Sequence, residues 1–152
     1  YVDGPTLEEL VVQHIHKEGS PPPEEQVLEW ISQIGSAVSS LHHVGIVHRD
    51  IKPDNIKIRS GDGAAMLLDF GLTKKVGEAG GYGTAPMTGT ARFGTPGYAP
   101  PNPKERENPE RRSDIYALGM TLYRALSGRD PQNADDLRAM KDYSPRFFNA
   151  FI

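Results

Sequence analysis

His48-Arg49-Asp50-Ile51-Lys52-Pro53-Asp54-Asn55 sets an imidazole, a guanidinium, two carboxylates, an ammonium and a carboxamide around one proline. So many polar heads could not all find partners inside a core. A continuous helix face is excluded as well, because Pro53 disfavours αR at Lys52 and breaks any helical run. Ile46-Val47 leads into the stretch and Ile56-Lys57-Ile58 alternates on the way out. The sequence predicts a rigid loop between two short strands, a place where sites concentrate.

The loop holds a set of groups with complementary chemistry. Asp50 can take a proton from a hydroxyl while Lys52, two positions on, neutralises an incoming anion. The Asn55 carboxamide offers a hard oxygen to a divalent cation without adding charge. A base, an anion clamp and a metal ligand are what phosphoryl transfer requires. Downstream, Met66-Leu67-Leu68 runs into Asp69-Phe70-Gly71. An acid closing a buried apolar strand is costly unless it meets something positive. A hairpin turning at Gly61-Asp62-Gly63 would set Asn55 and Asp69 side by side, facing one Mg²⁺.

These residues resemble the protein-kinase family. His48 to Asn55 is similar to the catalytic loop H-R-D-x-x-x-x-N, and Asp69-Phe70-Gly71 matches D-F-G in the right order. Gly94-Thr95-Pro96-Gly97-Tyr98-Ala99-Pro100-Pro101 looks like the end of an activation segment. Asp114-Ile115-Tyr116-Ala117-Leu118-Gly119 resembles the start of the buried helix that anchors the lower lobe. The Lys52-Pro53-x-Asn55 form is similar to Ser/Thr rather than Tyr kinases, and Ile56-Lys57-Ile58 with Asp114 to Gly119 looks like bacterial, eukaryotic-type members. The resemblance implies an α+β, kinase-like fold with a mainly helical C-terminal lobe. A short β-hairpin in it would carry the catalytic loop and D-F-G.

The resemblance implies roles for particular residues. Asp50 would orient and deprotonate the substrate hydroxyl, and Lys52 would steady the γ-phosphate of ATP. Asn55 and Asp69 would hold Mg²⁺. Thr95 would hydrogen-bond Asp50 and Lys52 and help place the protein substrate. Tyr1-Val2-Asp3-Gly4-Pro5 looks like the hinge between lobes, with the Val2 amide donating to adenine and Thr6 near the ribose. Arg49 would receive a phosphorylated residue of the activation segment, for which Thr88 and Thr90 are candidates; the plainer alternatives are an ion pair for Arg49 and linker threonines. His48 would pack against Phe70.

Two positions depart from the family pattern. The position two after Asn55 usually carries a Leu or Met as floor of the adenine pocket, and here it is Lys57. Its methylenes are expected to cover the base while the ammonium snorkels outward. Where the family ends the segment with Ala-Pro-Glu, this chain has Pro100-Pro101-Asn102. Asn102 cannot form the family's ion pair, and Glu105 or Glu107 is the available substitute.

Outside these motifs the chain reads as scaffold. Thr6 and Glu9 form a capping box that opens a helix from Leu7 to about His14. His14 and His16 read as a solvated helix end. Pro21-Pro22-Pro23 precedes a helix from Glu24 to His43, with Val27, Ile31, Ile34, Val38 and Leu41 on one stripe and Gly45 as its stop. Trp30 reads as packing, and His42 and His43 as shaping the helix end. Ser113 is expected to cap a helix from Asp114 to about Ser127 with Ile115, Leu118, Leu122 and Leu126 inside. Asp114 itself is expected to accept backbone amides of the catalytic loop. Ala134 to Met140 reads as a further helix, followed by Phe147, Phe148, Phe151 and Ile152.

The bulk properties set outer bounds. The 152 residues suffice for one core. Seventeen basic and twenty acidic residues leave a net charge of −3, which argues against nucleic acid as a partner. The absence of cysteine excludes disulfides and thiolate metal sites. No apolar run predicts a membrane contact. The resemblance implies a partial kinase domain over 1–152, hinge plus C-terminal lobe, without the N-terminal lobe or last helices. It further implies a cytoplasmic domain acting on protein Ser or Thr, with any membrane anchor outside this stretch, and a dimer as the arrangement for autophosphorylating the activation segment. As an isolated piece the chain is expected to transfer phosphate poorly or not at all. A pseudokinase scaffold or nucleotide-binding regulatory module without phosphotransfer, and a short partner-binding protein, stay open as alternatives.

Overall fold

The structure is a computed structural model and describes residues 2–68, 74–75, 95–101, 111–132 and 135–138. The motif Asp69-Phe70-Gly71, together with Thr88, Thr90, Asn102, Glu105, Glu107 and the Phe-rich end, lies outside the described residues.

Helix α1 spans Leu7–Glu18, one turn longer than the periodicity suggested. Thr6 Oγ1 accepts from Glu9 N at 3.1 Å and Glu9 Oε2 accepts from Thr6 N at 2.7 Å, the reciprocal capping box. The helix runs on through exposed His16 and stops only at Gly19, whose φ of 69° supplies the left-handed cap. Helix α2 spans Glu24–His43, as its apolar stripe requires. Val27, Ile34 and Val38 are fully buried, and Trp30 and Ile31 nearly so. Removing each such side chain from water contributes roughly 1.5–3 kcal/mol.

Two small antiparallel sheets frame the loop. Strand β2, Ile56–Ile58, pairs with β3, Ala65–Leu67, in the register Ile56 to Leu67 and Ile58 to Ala65. Its turn is closed by Arg59 N donating to Ala64 O at 2.9 Å and by Gly63 N donating to Arg59 O at 2.9 Å. Strand β1, Ile46–Val47, pairs with β4, Lys74–Lys75, a pairing for which the sequence held no signal. Trp30 does more than pack, since its Nε1 donates to Gly63 O at 3.1 Å and ties the hairpin turn to α2. Gln33 Oε1 accepts from Ala65 N at 2.6 Å beside it.

Helix α3 spans Arg111–Ser127 and crosses α2. It begins before Asp114, so Ser113 is a buried residue of the first turn and not its cap. The expected inner stripe holds at Leu122 and Leu126, with Leu118 partly buried against the core, and is corrected at Ile115. Ile115 is 57% exposed, whereas Met120, Thr121, Leu122 and Ala125 are fully buried. The helix turns Asp114 to the catalytic loop and buries Ala117 and Thr121 on the same side, which leaves Ile115 outward. Helix α4, Asp135–Arg138, follows within the stretch expected to be helical, whose ends at Ala134 and Met140 lie outside the described residues. The core lies between α1, α2, α3 and the inner face of the β2–β3 hairpin. The resulting α+β, kinase-like arrangement sets the polar loop on the rim of that core.

Candidate active site

The loop between β1 and β2 is held by a carboxylate far away in sequence. Asp114, 1% exposed at the start of α3, accepts His48 N on Oδ2 at 2.9 Å and Arg49 N on Oδ1 at 2.8 Å. These contacts are the ones expected of Asp114. They stabilise a residue in a sparsely populated conformation, since Arg49 has φ of 77°, a region a non-glycine residue enters at a cost of about 1–3 kcal/mol. His42 Nε2 lies 2.8 Å from Asp114 Oδ2, so this histidine is buried and engaged rather than a plain helix end. Sequence reasoning missed it because its partner lies on another helix.

Past Arg49 the chain enters the core at Ile51, fully buried, and emerges at Lys52 in extended conformation, with φ −163° and ψ 163°. Pro53 enforces that conformation and opens the 3-10 turn Pro53–Asn55, which delivers Asn55 back toward Asp50. Asn55 Nδ2 donates to Asp50 O at 2.8 Å and to Asp50 Oδ2 at 2.9 Å. Both amide hydrogens thus face Asp50, and the oxygen is the carboxamide atom directed elsewhere. Asn55 O accepts from Leu68 N at 2.8 Å, so the residue before Asp69 is tied to the backbone of Asn55. His48, fully buried, reaches the same strand end, with Nε2 3.1 Å from Leu68 O.

The Asp50 carboxylate is the centre of a compact polar cluster. Thr95 Oγ1 donates to Asp50 Oδ1 at 3.0 Å and accepts from Lys52 Nζ at 2.9 Å. Lys52 Nζ is also 3.2 Å from Asp50 Oδ2. Thr95 is presented by a turn in which Tyr98 N and Ala99 N both donate to Thr95 O, at 3.0 and 3.1 Å. Gly97 in that turn has φ of 86°, and a Cβ there would come within 2.3 Å of Pro131 O. Only glycine lets the turn approach so closely.

Beside the cluster lies a cavity of about 410 Å³ lined by Glu8, Asp54, Thr95, Gly97, Tyr98 and Asp130, among others. Glu8 is paired with Arg124, whose Nε donates to Glu8 Oε2 at 3.0 Å. That hydrogen bond raises the Arg124 pKa further. Burial, then the Glu8 carboxylate, pushes the Tyr98 phenol well above its ordinary value. Burial lowers the Arg49 pKa, and the neighbouring Asp114 carboxylate opposes the shift.

At the other end of the hairpin, the 3–6 segment runs along β2. Ile58 N donates to Pro5 O at 2.9 Å and Ser60 N to Asp3 O at 3.0 Å, with Thr6 bridged to Lys57. The Thr6 hydroxyl is engaged in the helix cap. Lys57 differs from expectation. Its ammonium does not snorkel outward but donates to Val2 O at 3.2 Å. The backbone carbonyl lies within reach of the stem, and a charge-assisted hydrogen bond competes well with hydration there.

Asp50, Lys52, Asn55 and Thr95 are therefore brought together, Val2, Thr6 and Lys57 form a second group along the hairpin, and Arg49 stands on the Asp114 side. Among the described residues no group of three His, Asp or Glu could hold a metal, and no helix is long and apolar enough to cross a membrane.

Comparison with known proteins finds protein kinases. The chain is 36% identical over 131 residues to the serine/threonine-protein kinase PknB of Mycobacterium leprae, covering 86% of this chain and 20% of that protein. It is 36% identical over 137 residues to PknB of Mycobacterium tuberculosis, covering 89% of this chain and 20% of the relative. Against the serine/threonine-protein kinase PknL of Mycobacterium tuberculosis it is 35% identical over 134 residues, 88% of this chain and 31% of the relative. The chain thus spans between a fifth and a third of the length of these relatives. The protein kinase domain family matches residues 1–147, and with the loop, hairpin and Asp114 anchor in place the chain belongs to that family.

Proposed function

We propose that the protein is a serine/threonine kinase that transfers the γ-phosphoryl group of ATP to a protein hydroxyl, and that this chain supplies the hinge and lower lobe of its kinase domain. The observation that carries the reading is the Asp50 carboxylate, bounded by Thr95 Oγ1 at 3.0 Å, Lys52 Nζ at 3.2 Å and Asn55 Nδ2 at 2.9 Å. The kinase names of the relatives support it.

Each residue has a role its chemistry allows. Asp50 orients the Ser or Thr hydroxyl and accepts its proton as the oxygen attacks the terminal phosphorus and the bond to ADP breaks. The Lys52 ammonium neutralises charge on the transferring group, and the Thr95 hydroxyl holds both side chains in register. The donor set fits Mg²⁺, a hard cation that takes oxygen ligands. The Asn55 carboxamide oxygen and the Asp69 carboxylate would hold it, and when bound it neutralises phosphate charge. The Val2 amide reads adenine and Thr6 stands near the ribose. Arg49 receives a phosphate carried on Thr88 or Thr90, added by a second copy in a dimer. The kinase domain is cytoplasmic, and its partner is a protein with an accessible Ser or Thr.

The test is phosphate transfer from ATP and Mg²⁺ to a generic basic protein by the full-length protein, wild type beside Asp50→Asn. Transfer by the wild type that falls by at least about 10²-fold in the variant is the expected result. A wild type that transfers nothing, even with a phosphomimetic at Thr88 or Thr90, overturns the reading in favour of a pseudokinase scaffold.

A further inference from the structure

Strand β2 presents two faces. Ile56 and Ile58 point inward and are buried, so Lys57 between them is on the other face, half-buried, opposite Met66 of β3. The 3–6 segment runs along the edge of β2 away from β3. Gly4, with φ of 139°, bends over the strand so closely that a Cβ would come within 2.0 Å of Ile58 O. Pro5 and Asp3 carbonyls are bonded to Ile58 and Ser60 on either side of that bend. Lys57 has its backbone bridged to Thr6 and its ammonium 3.2 Å from Val2 O.

The arrangement leaves Val2 with a distinctive support. The residues between it and the helix cap at Thr6 include Gly4, which has the widest backbone freedom, and the Asp3 carbonyl accepts from Ser60 N. Past Asp3, the Lys57 ammonium is what links Val2 to β2. An apolar floor residue would cover a base but could not hold a carbonyl. A lysine can do both, because an apolar stem of four methylenes precedes a head that bonds the backbone.

We propose that Lys57, at the position the family uses for the floor of the base subsite, is also a nucleotide-positioning residue: its ammonium holds the Val2 carbonyl and so fixes the backbone that reads the base. The inference rests on the kinase reading above and adds to it a residue that acts through the hinge. Three consequences follow from the geometry. Removing the ammonium while keeping the stem weakens nucleotide binding, although the substitution restores a residue of the family's usual apolar kind. The loss is the same for adenosine as for ATP, because the effect is on the base and not on the phosphates. The amides that tie the hinge to β2 open more often.

The experiment uses the full-length protein with Lys57→Met, Lys57→Ala and Lys57→Arg beside wild type. Binding of ATP with Mg²⁺ and of adenosine is titrated, and hydrogen exchange is followed at the Ile58 and Ser60 amides. Lys57→Met is expected to weaken both ligands by about 5- to 10-fold, the worth of a charge-assisted hydrogen bond partly replaced by water. Lys57→Ala is expected to weaken them further, and Lys57→Arg to recover most of the loss. The KM for ATP rises in Lys57→Met while the KM for protein substrate does not, and exchange at Ser60 quickens. Binding in Lys57→Met that equals or exceeds wild type overturns the proposal. So does a loss confined to ATP and absent with adenosine, which would mean that Lys57 acts on phosphate charge. If wild type binds neither ligand, the kinase reading itself falls and the base-positioning role with it. The exchange data then still decide whether Lys57 holds Val2.

Discussion

Asp114 Oδ2 lies 2.8 Å from His42 Nε2, across the seam between α2 and α3, while the same carboxylate receives the amides of His48 and Arg49. One buried acid thereby fixes a helix end and both residues before Asp50. Asp114→Ala leaves the two amides and the imidazole without that acceptor, and is expected to cost about 3–5 kcal/mol of stability. His42→Gln, which can still donate, is expected to cost about 1–2 kcal/mol. Chemical denaturation checks both. A loss under about 1 kcal/mol in Asp114→Ala would show that the loop keeps its shape without the anchor.

Thr95 Oγ1 gives one hydrogen bond to Asp50 and takes another from Lys52. Thr95→Val keeps the volume and removes both. Phosphate transfer is expected to fall by about 10- to 100-fold, whereas Thr95→Ser should stay within about 3-fold of wild type, since the hydroxyl is retained. Equal activity in Thr95→Val and wild type would remove Thr95 from the working site.

Glu8 and Arg124 join α1 to α3 through a two-point contact, with the Arg124 side chain 8% and the Glu8 side chain 26% exposed. Glu8→Gln leaves a nearly buried guanidinium with its main charge partner gone, and is expected to cost about 2 kcal/mol, more than a surface pair would. A melt unchanged within about 0.5 kcal/mol would place the pair among ordinary surface contacts.

The Tyr98 phenol has its pKa raised in the folded protein, first by burial and then by Glu8. In the unfolded chain it ionises near pH 10. The contribution of the neutral phenol is therefore complete below about pH 10 and is lost as pH rises from there toward the folded value. Tyr98→Phe has no proton to lose, so its melting temperature is expected to fall less than that of wild type between pH 9 and 11. Parallel curves for the two proteins would contradict a half-buried phenol held neutral in the fold.

Much of the site was legible in the sequence for local reasons. The order of groups from His48 to Asn55 is set by covalent spacing, and Pro53 alone forces the extended Lys52 and the turn after it. Thr6 and Glu9 meet because they are three residues apart at a helix start. The Glu24–His43 helix follows from the period of its apolar residues. Ile115 shows where periodicity stops being sufficient, because several rotations of α3 satisfy its apolar content and the fit of Asp114 to the loop selects one of them.

What the sequence by itself determined was the family, the positions of the candidate site residues along the chain and the helix that precedes them. Tertiary structure alone decided the partners of the charged groups: His42 with Asp114, Glu8 with Arg124, Lys57 with the Val2 carbonyl. The physical reason is that a buried charge must be satisfied by whichever acceptor or donor the packing of distant elements brings within about 3 Å, and no local spacing encodes that choice.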